Sequence, residues 1–129
     1  MLARNLLRVS VVLILIGMAG GIGMGIAQDF RLAPAHAHLN LVGFVALFLA
    51  GLYYNAAPHA AATALAKIHA WTAVIGAIVF PIGIGVVAIK GEQFVVLPIV
   101  GSLIVFVGMA LFAWIVFRNG LSKADAQRA

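Results

Sequence analysis

Cysteine is absent from the chain, and only three of its 129 residues are acidic. The first absence excludes disulfides, zinc–thiolate centres, iron–sulfur clusters and thiol nucleophiles. The second removes the carboxylate pairs on which hydrolases depend, and no glycine-rich phosphate loop or nucleophile triad stands in their place. Charged residues of both signs make up 9% of the chain, against roughly a quarter in ordinary soluble domains. Apolar residues take their place: 65% of the chain is hydrophobic and the mean hydropathy is +1.19. A water-soluble globule is excluded. The net charge of +5 does not point to nucleic acid, because the basic residues are few and lie at the edges of apolar runs, where membrane proteins carry them.

Four apolar stretches, residues 9–27, 36–57, 68–89 and 94–117, are each long enough to cross a bilayer core, which takes about 20 residues. Lipid leaves backbone groups unsatisfied unless they bond internally, and the runs lack the alternation of barrel strands. The sequence therefore predicts an all-α integral membrane protein, a four-helix up-down bundle forming one domain over residues 1–129. The first stretch, preceded by Arg4 and Arg8, also fits a signal peptide. The spacing Gly17-x-x-x-Gly21-x-x-x-Gly25 favours a retained, close-packed helix. Six Lys and Arg fall on one side (Arg4, Arg8, Lys67, Arg118, Lys123 and Arg128) and two on the other (Arg31 and Lys90), which predicts cytoplasmic termini.

Ionisable side chains inside a membrane are costly and point first to function. His36 and His38 stand at the start of the second span, and neutral imidazole is a ligand for heme iron or a transition metal. An apolar bundle without thiolates suits heme. Residues two apart on an α-helix diverge by about 200°, so the two imidazoles should face different pockets and not share one iron. A ring of identical bundles offers a pocket at every junction, with His36 from one copy and His38 from its neighbour. The competing reading leaves one or both rings hydrogen-bonded to headgroups or to the adjoining loop. Asn40 is placed to bond a histidine's free ring nitrogen, or to bond another helix. His69, beside Lys67 and Trp71, reads as an interfacial anchor, His59 as solvated, and Tyr53 and Tyr54 as part of the aromatic belt. Pro81 with Gly83 and Gly85 should loosen the third span, for packing or to admit a porphyrin edge.

The run Pro34-Ala35-His36-Ala37-His38-Leu39-Asn40-Leu41-Val42-Gly43, continuing to Gly51-Leu52-Tyr53-Tyr54, resembles the tenth transmembrane helix of heme–copper oxidase subunit I. Ala66-Lys67-Ile68-His69-Ala70-Trp71 and the later Phe80-Pro81 resemble the eleventh, in the same order and spacing. The likeness covers residues 29–90; the outer spans match in hydropathy and topology only. It implies that His36 and His38 are axial ligands of two different hemes. It also implies that this chain is similar to one arc of that subunit, its ninth to twelfth helices, so that three copies would rebuild the circle as a homotrimer. Heme b is the implied cofactor, and the bacterial inner membrane the implied location. The family's propionate-binding arginine pair is replaced by Lys90, with Arg31 as a substitute. No span offers a further histidine cluster for copper, so copper-dependent oxygen reduction is not expected.

Two functions follow as expectations. One is a b-type heme protein that transfers electrons through a donor and acceptor not named by any motif, or that engages oxygen or nitric oxide at an open iron position. The other is a heme-free structural or assembly subunit of a respiratory membrane complex.

Overall fold

The computed structural model describes residues 1–119. Lys123 and Arg128, assigned above to the basic side, lie outside the described residues. Four helices are long and apolar enough to cross a membrane: α1 (Leu2–Ala27), α2 (Ala33–Ala56), α3 (Ala64–Lys90) and α4 (Val96–Asn119). No strand occurs among the described residues.

Local chemistry sets the helix ends. Gln28 closes α1 in the left-handed region at φ 51°, and its N–H donates to the Met24 carbonyl. The Thr63 hydroxyl accepts from the Ala66 N–H at 3.1 Å and caps the start of α3. Gly91 ends α3 at φ 101°, a conformation that any side chain would strain. Pro34 enters α2 in its first turn, where its missing N–H costs nothing.

Consecutive helices run antiparallel, as their pairings show. Along α1 and α2, Gly51 meets Leu7, Gly43 meets Leu13, Gly17 meets Asn40 and Gly21 meets His36. Along α2 and α3, Tyr54 bonds His69 and His38 packs on Phe80. Along α3 and α4, a Cβ on Gly101 would lie 2.6 Å from the Phe80 Cα, and one on Gly83 2.6 Å from the Pro98 nitrogen. Helices in lipid gain little from hydrophobic burial, and glycine lets their backbones come into van der Waals contact instead. Of the expected glycine triad on α1, Gly17 and Gly21 pack on α2, whereas Gly25 faces open space.

Large buried side chains gather at one end. Leu6, Leu47, Tyr54, His69 and Ile115 are all closed off near the chain's N-terminus and the α2–α3 connection. The other end, carrying the Gln28–Leu32 and Gly91–Val95 turns, buries almost nothing but glycine and Pro81. Outward faces are apolar, with Ile26 82% and Phe117 90% exposed, a surface suited to contact with lipid. Arg4, Arg8, Lys67 and Arg118 lie at the N-terminal end, and Arg31, Lys90, Asp29 and Glu92 at the other.

Candidate functional site

The His-Ala-His triplet occupies the first α-helical segment of α2, Ala33–His38. Immediately after it, Leu39–Ala46 winds as a π-helix before the α-helix resumes at Leu47. Such wide turns concentrate at functional sites, because they re-aim side chains that a regular helix would place elsewhere.

The two imidazoles diverge, as their spacing requires. His36 turns toward α1, where a Cβ on Gly21 would come within 2.9 Å of its Cε1. His38 turns toward α3 and meets the Phe80 ring edge-on, centroids 4.8 Å apart. Both sides are thus occupied by helices of the same chain, and a neighbouring copy is not needed to separate the rings.

The hydrogen bonding of the two rings differs in kind. His38 Nδ1 lies 2.7 Å from the Pro34 carbonyl oxygen. A carbonyl only accepts, so Nδ1 carries the proton and Nε2 keeps the lone pair, the tautomer a metal ligand needs. His36 Nε2 lies 3.1 Å from the Asn40 amide nitrogen, while His36 Nδ1 and Asn40 Oδ1 are buried without partners. Turning the Asn40 amide over exchanges donor for acceptor and leaves one ring nitrogen and one amide atom unpartnered all the same. Each such orphan costs about 1–3 kcal/mol.

His36 lines a groove of about 200 Å³ between α1, α2 and α3, with Gly17, Gly20, Met24 and Pro81 among its walls. A second cavity of about 310 Å³ shares Gly20, Met24 and Leu32 with it and carries the groove outward to Asp29 and Arg31. A Cβ on Gly20 or Gly23 would meet nothing within 4 Å, so the floor of α1 is bare there. Ile89 reaches the outer cavity; Lys90, one residue on, does not line it. Arg31 is exposed and forks onto Asp29, with Nη2 2.6 Å from Oδ2 and Nε 3.0 Å from both oxygens, leaving Nη1 without a bond. The Arg31 side chain, and then its backbone N–H, hold the Asp29 carboxyl at about 2, well below the ordinary carboxylate range.

The residues thus fit a flat apolar group with acidic substituents. The groove has apolar walls, an imidazole at its inner end and the Arg31–Asp29 ion pair, with one guanidinium nitrogen unbonded, at its mouth. Of the five expected site residues, His36 and Arg31 line the two joined cavities and Asn40 bonds His36, whereas His38 faces Phe80 on α3 and lines neither cavity, and Lys90 stands apart. No group of three or more metal-ligating side chains occurs among the described residues.

Sequence reasoning misplaced the aromatic end of α2. His69 is 1% exposed, not an interfacial anchor, and its Nδ1 lies 2.8 Å from the Tyr54 hydroxyl. Its ring stacks on Phe112 at 5.0 Å, and Tyr54 is equally buried, outside any aromatic belt. Trp71, two residues after His69, is 70% exposed. The available signal was the shared apolar face of Ala66, Ala70 and Ala77, on which His69 continues. His59 is exposed as expected, 3.4 Å from the Asn119 carbonyl. In comparisons with protein-family models, with curated proteins and with solved structures, nothing matches this chain, so the likeness to heme–copper oxidase subunit I rests on its own residues at 34–54 and 66–81.

Proposed function

We propose that the chain is a b-type heme protein of the membrane, with His36 and His38 as axial ligands and Arg31 as the partner of a propionate. The observation that carries this reading is the His36–Asn40 pair: an imidazole with an unpartnered buried nitrogen, in an apolar groove with a bare glycine floor that ends on a guanidinium. An imidazole with an unpartnered buried nitrogen on the wall of an apolar groove is a mark of a ligand-binding site. The tautomer of His38 set by Pro34 adds a second ring whose Nε2 is ready to coordinate. A bound heme supplies one-electron iron chemistry. The protein supplies apolar walls, ring orientation and a cation at the mouth.

The groove is open along one side, and an adjacent copy in a closed ring, a homotrimer as the sequence likeness implies, would cover it. The concentration of Arg4, Arg8, Lys67 and Arg118 at the N-terminal end supports cytoplasmic termini, in a bacterial inner membrane. Electron transfer is the activity expected of a six-coordinate iron; an iron with one protein ligand engages oxygen or nitric oxide.

The test is the absorption spectrum of protein purified from heme-replete cells, reduced with dithionite, with and without carbon monoxide. A Soret band that H36A abolishes, H38A alters and H59A leaves unchanged is the expected result. A band unmoved by the gas assigns electron transfer, and a shifted one assigns gas chemistry. Protein without a Soret band, or an unaltered band in both triplet variants, overturns the proposal and leaves a structural subunit.

A further inference from the structure

A second groove lies at the opposite end of the bundle, away from the histidine triplet. It has a volume of about 440 Å³ and runs between the first turns of α1 and the start of α3. Leu2, Val9, Trp71 and Val74 form its apolar walls, and Asn5 and Arg8 stand on its rim. Arg4 precedes Arg8 by one helical turn, and Lys67 precedes Trp71 by one turn on α3, so both cations share a helix face with groove residues. Neither acidic residue among those described, Asp29 or Glu92, is at this end.

We propose that this groove is a binding site for an anionic phospholipid of the adjacent leaflet, with one acyl chain along Val9, Trp71 and Val74 and the headgroup at Arg8, Arg4 and Lys67. Charge complementarity selects the occupant. A phosphate finds three cations, whereas the ammonium of a zwitterionic headgroup finds no carboxylate among the described residues. The indole of Trp71 is 70% exposed on the groove wall, two turns into α3, and amphipathic rings favour the boundary between headgroup and chain. Asn5 adds an amide able to bond the phosphate or the glycerol esters. The site is independent of the heme reading, since it shares no residue with the His36 groove.

Trp71 also reports on the site, because the chain holds only two tryptophans and the other, Trp114, is on α4. The W114F variant is reconstituted into vesicles containing brominated phosphatidylglycerol or, separately, brominated phosphatidylcholine at equal mole fraction. Quenching of Trp71 should report a preference of at least about five-fold for the anionic lipid, the scale expected from one well-placed cation, with Arg4 and Lys67 adding to it. R8Q should lower the preference several-fold, while R118Q, which removes the same charge outside the groove, should retain it. Equal quenching by the two lipids, or a preference that R8Q leaves unchanged, overturns the proposal. So does a Trp71 that neither lipid quenches, which would mean that another copy of the chain covers the groove.

Discussion

Each end of the bundle holds a histidine bonded to one polar neighbour, and the surroundings give the two pairs opposite characters. At the N-terminal end His69 is closed in by Tyr54 and Phe112, bonded at 2.8 Å, and borders a cavity of only about 20 Å³, room for a single water. At the other end His36 and Asn40 bond each other yet leave two buried atoms unpartnered beside a groove of about 200 Å³. Polar groups in the membrane are tolerated where they are satisfied, or where something else satisfies them. The first pair fastens α2 to α3. The second pair keeps two polar atoms without partners, on the half of the molecule where Gly20, Gly23 and Gly25 of α1 are bare.

The largest expected effect tests the structural member of the comparison. H69A removes a stacked ring and leaves the Tyr54 hydroxyl without a partner in a closed core, which should cost about 2–4 kcal/mol in detergent unfolding followed by circular dichroism. Y54F should cost less, about 1 kcal/mol, in line with single interhelical hydrogen bonds in lipid. Equal tolerance of both substitutions would erase the distinction between the two ends.

The unsatisfied member should behave in the opposite way. Replacing both partners of an unsatisfied polar pair by apolar residues is close to neutral, so H36L/N40L should unfold within about 1 kcal/mol of the parent or prove more stable in pigment-free protein. The same variant should bind no heme. A loss of stability as large as that of H69A would make the outer pair structural too.

The smallest effect concerns the mouth of the outer groove. The Asp29 carboxyl titrates at about 2 in the folded chain, below its ordinary value of 3.8, because Arg31 bonds the charged form. A lowered carboxyl value stabilises the fold above the unfolded value and loses that contribution as the pH falls through the folded one. D29N should therefore lower the melting temperature slightly at neutral pH, with the difference closing between about pH 4 and pH 2. The pair is exposed, so salt should shrink the difference as well.

Much of the fold was legible in the linear chain. The ends of the helices Leu2–Ala27, Ala33–Ala56 and Ala64–Lys90 lie within four residues of the expected spans, except that α1 starts about two turns earlier. A run of apolar residues is a local property, and the bilayer's thickness sets its length. The divergence of His36 and His38 was also readable, since 100° per residue fixes where neighbours on a helix point. Their confinement within one chain was not, because the sequence does not say which helices flank α2. The π-helical stretch Leu39–Ala46 and the open face of Gly25 likewise depend on how far apart the helices stand.

By itself, then, the sequence determined four apolar helices, their antiparallel order and the opposed directions of the two triplet imidazoles, because each follows from backbone bonding and helical pitch along a single segment. Only the tertiary structure decided that His69 and Tyr54 form a satisfied pair while His36 and Asn40 do not. It also set the two grooves at opposite ends of the molecule. Whether a polar atom finds a partner depends on residues brought together from separate helices, and no one segment carries that information.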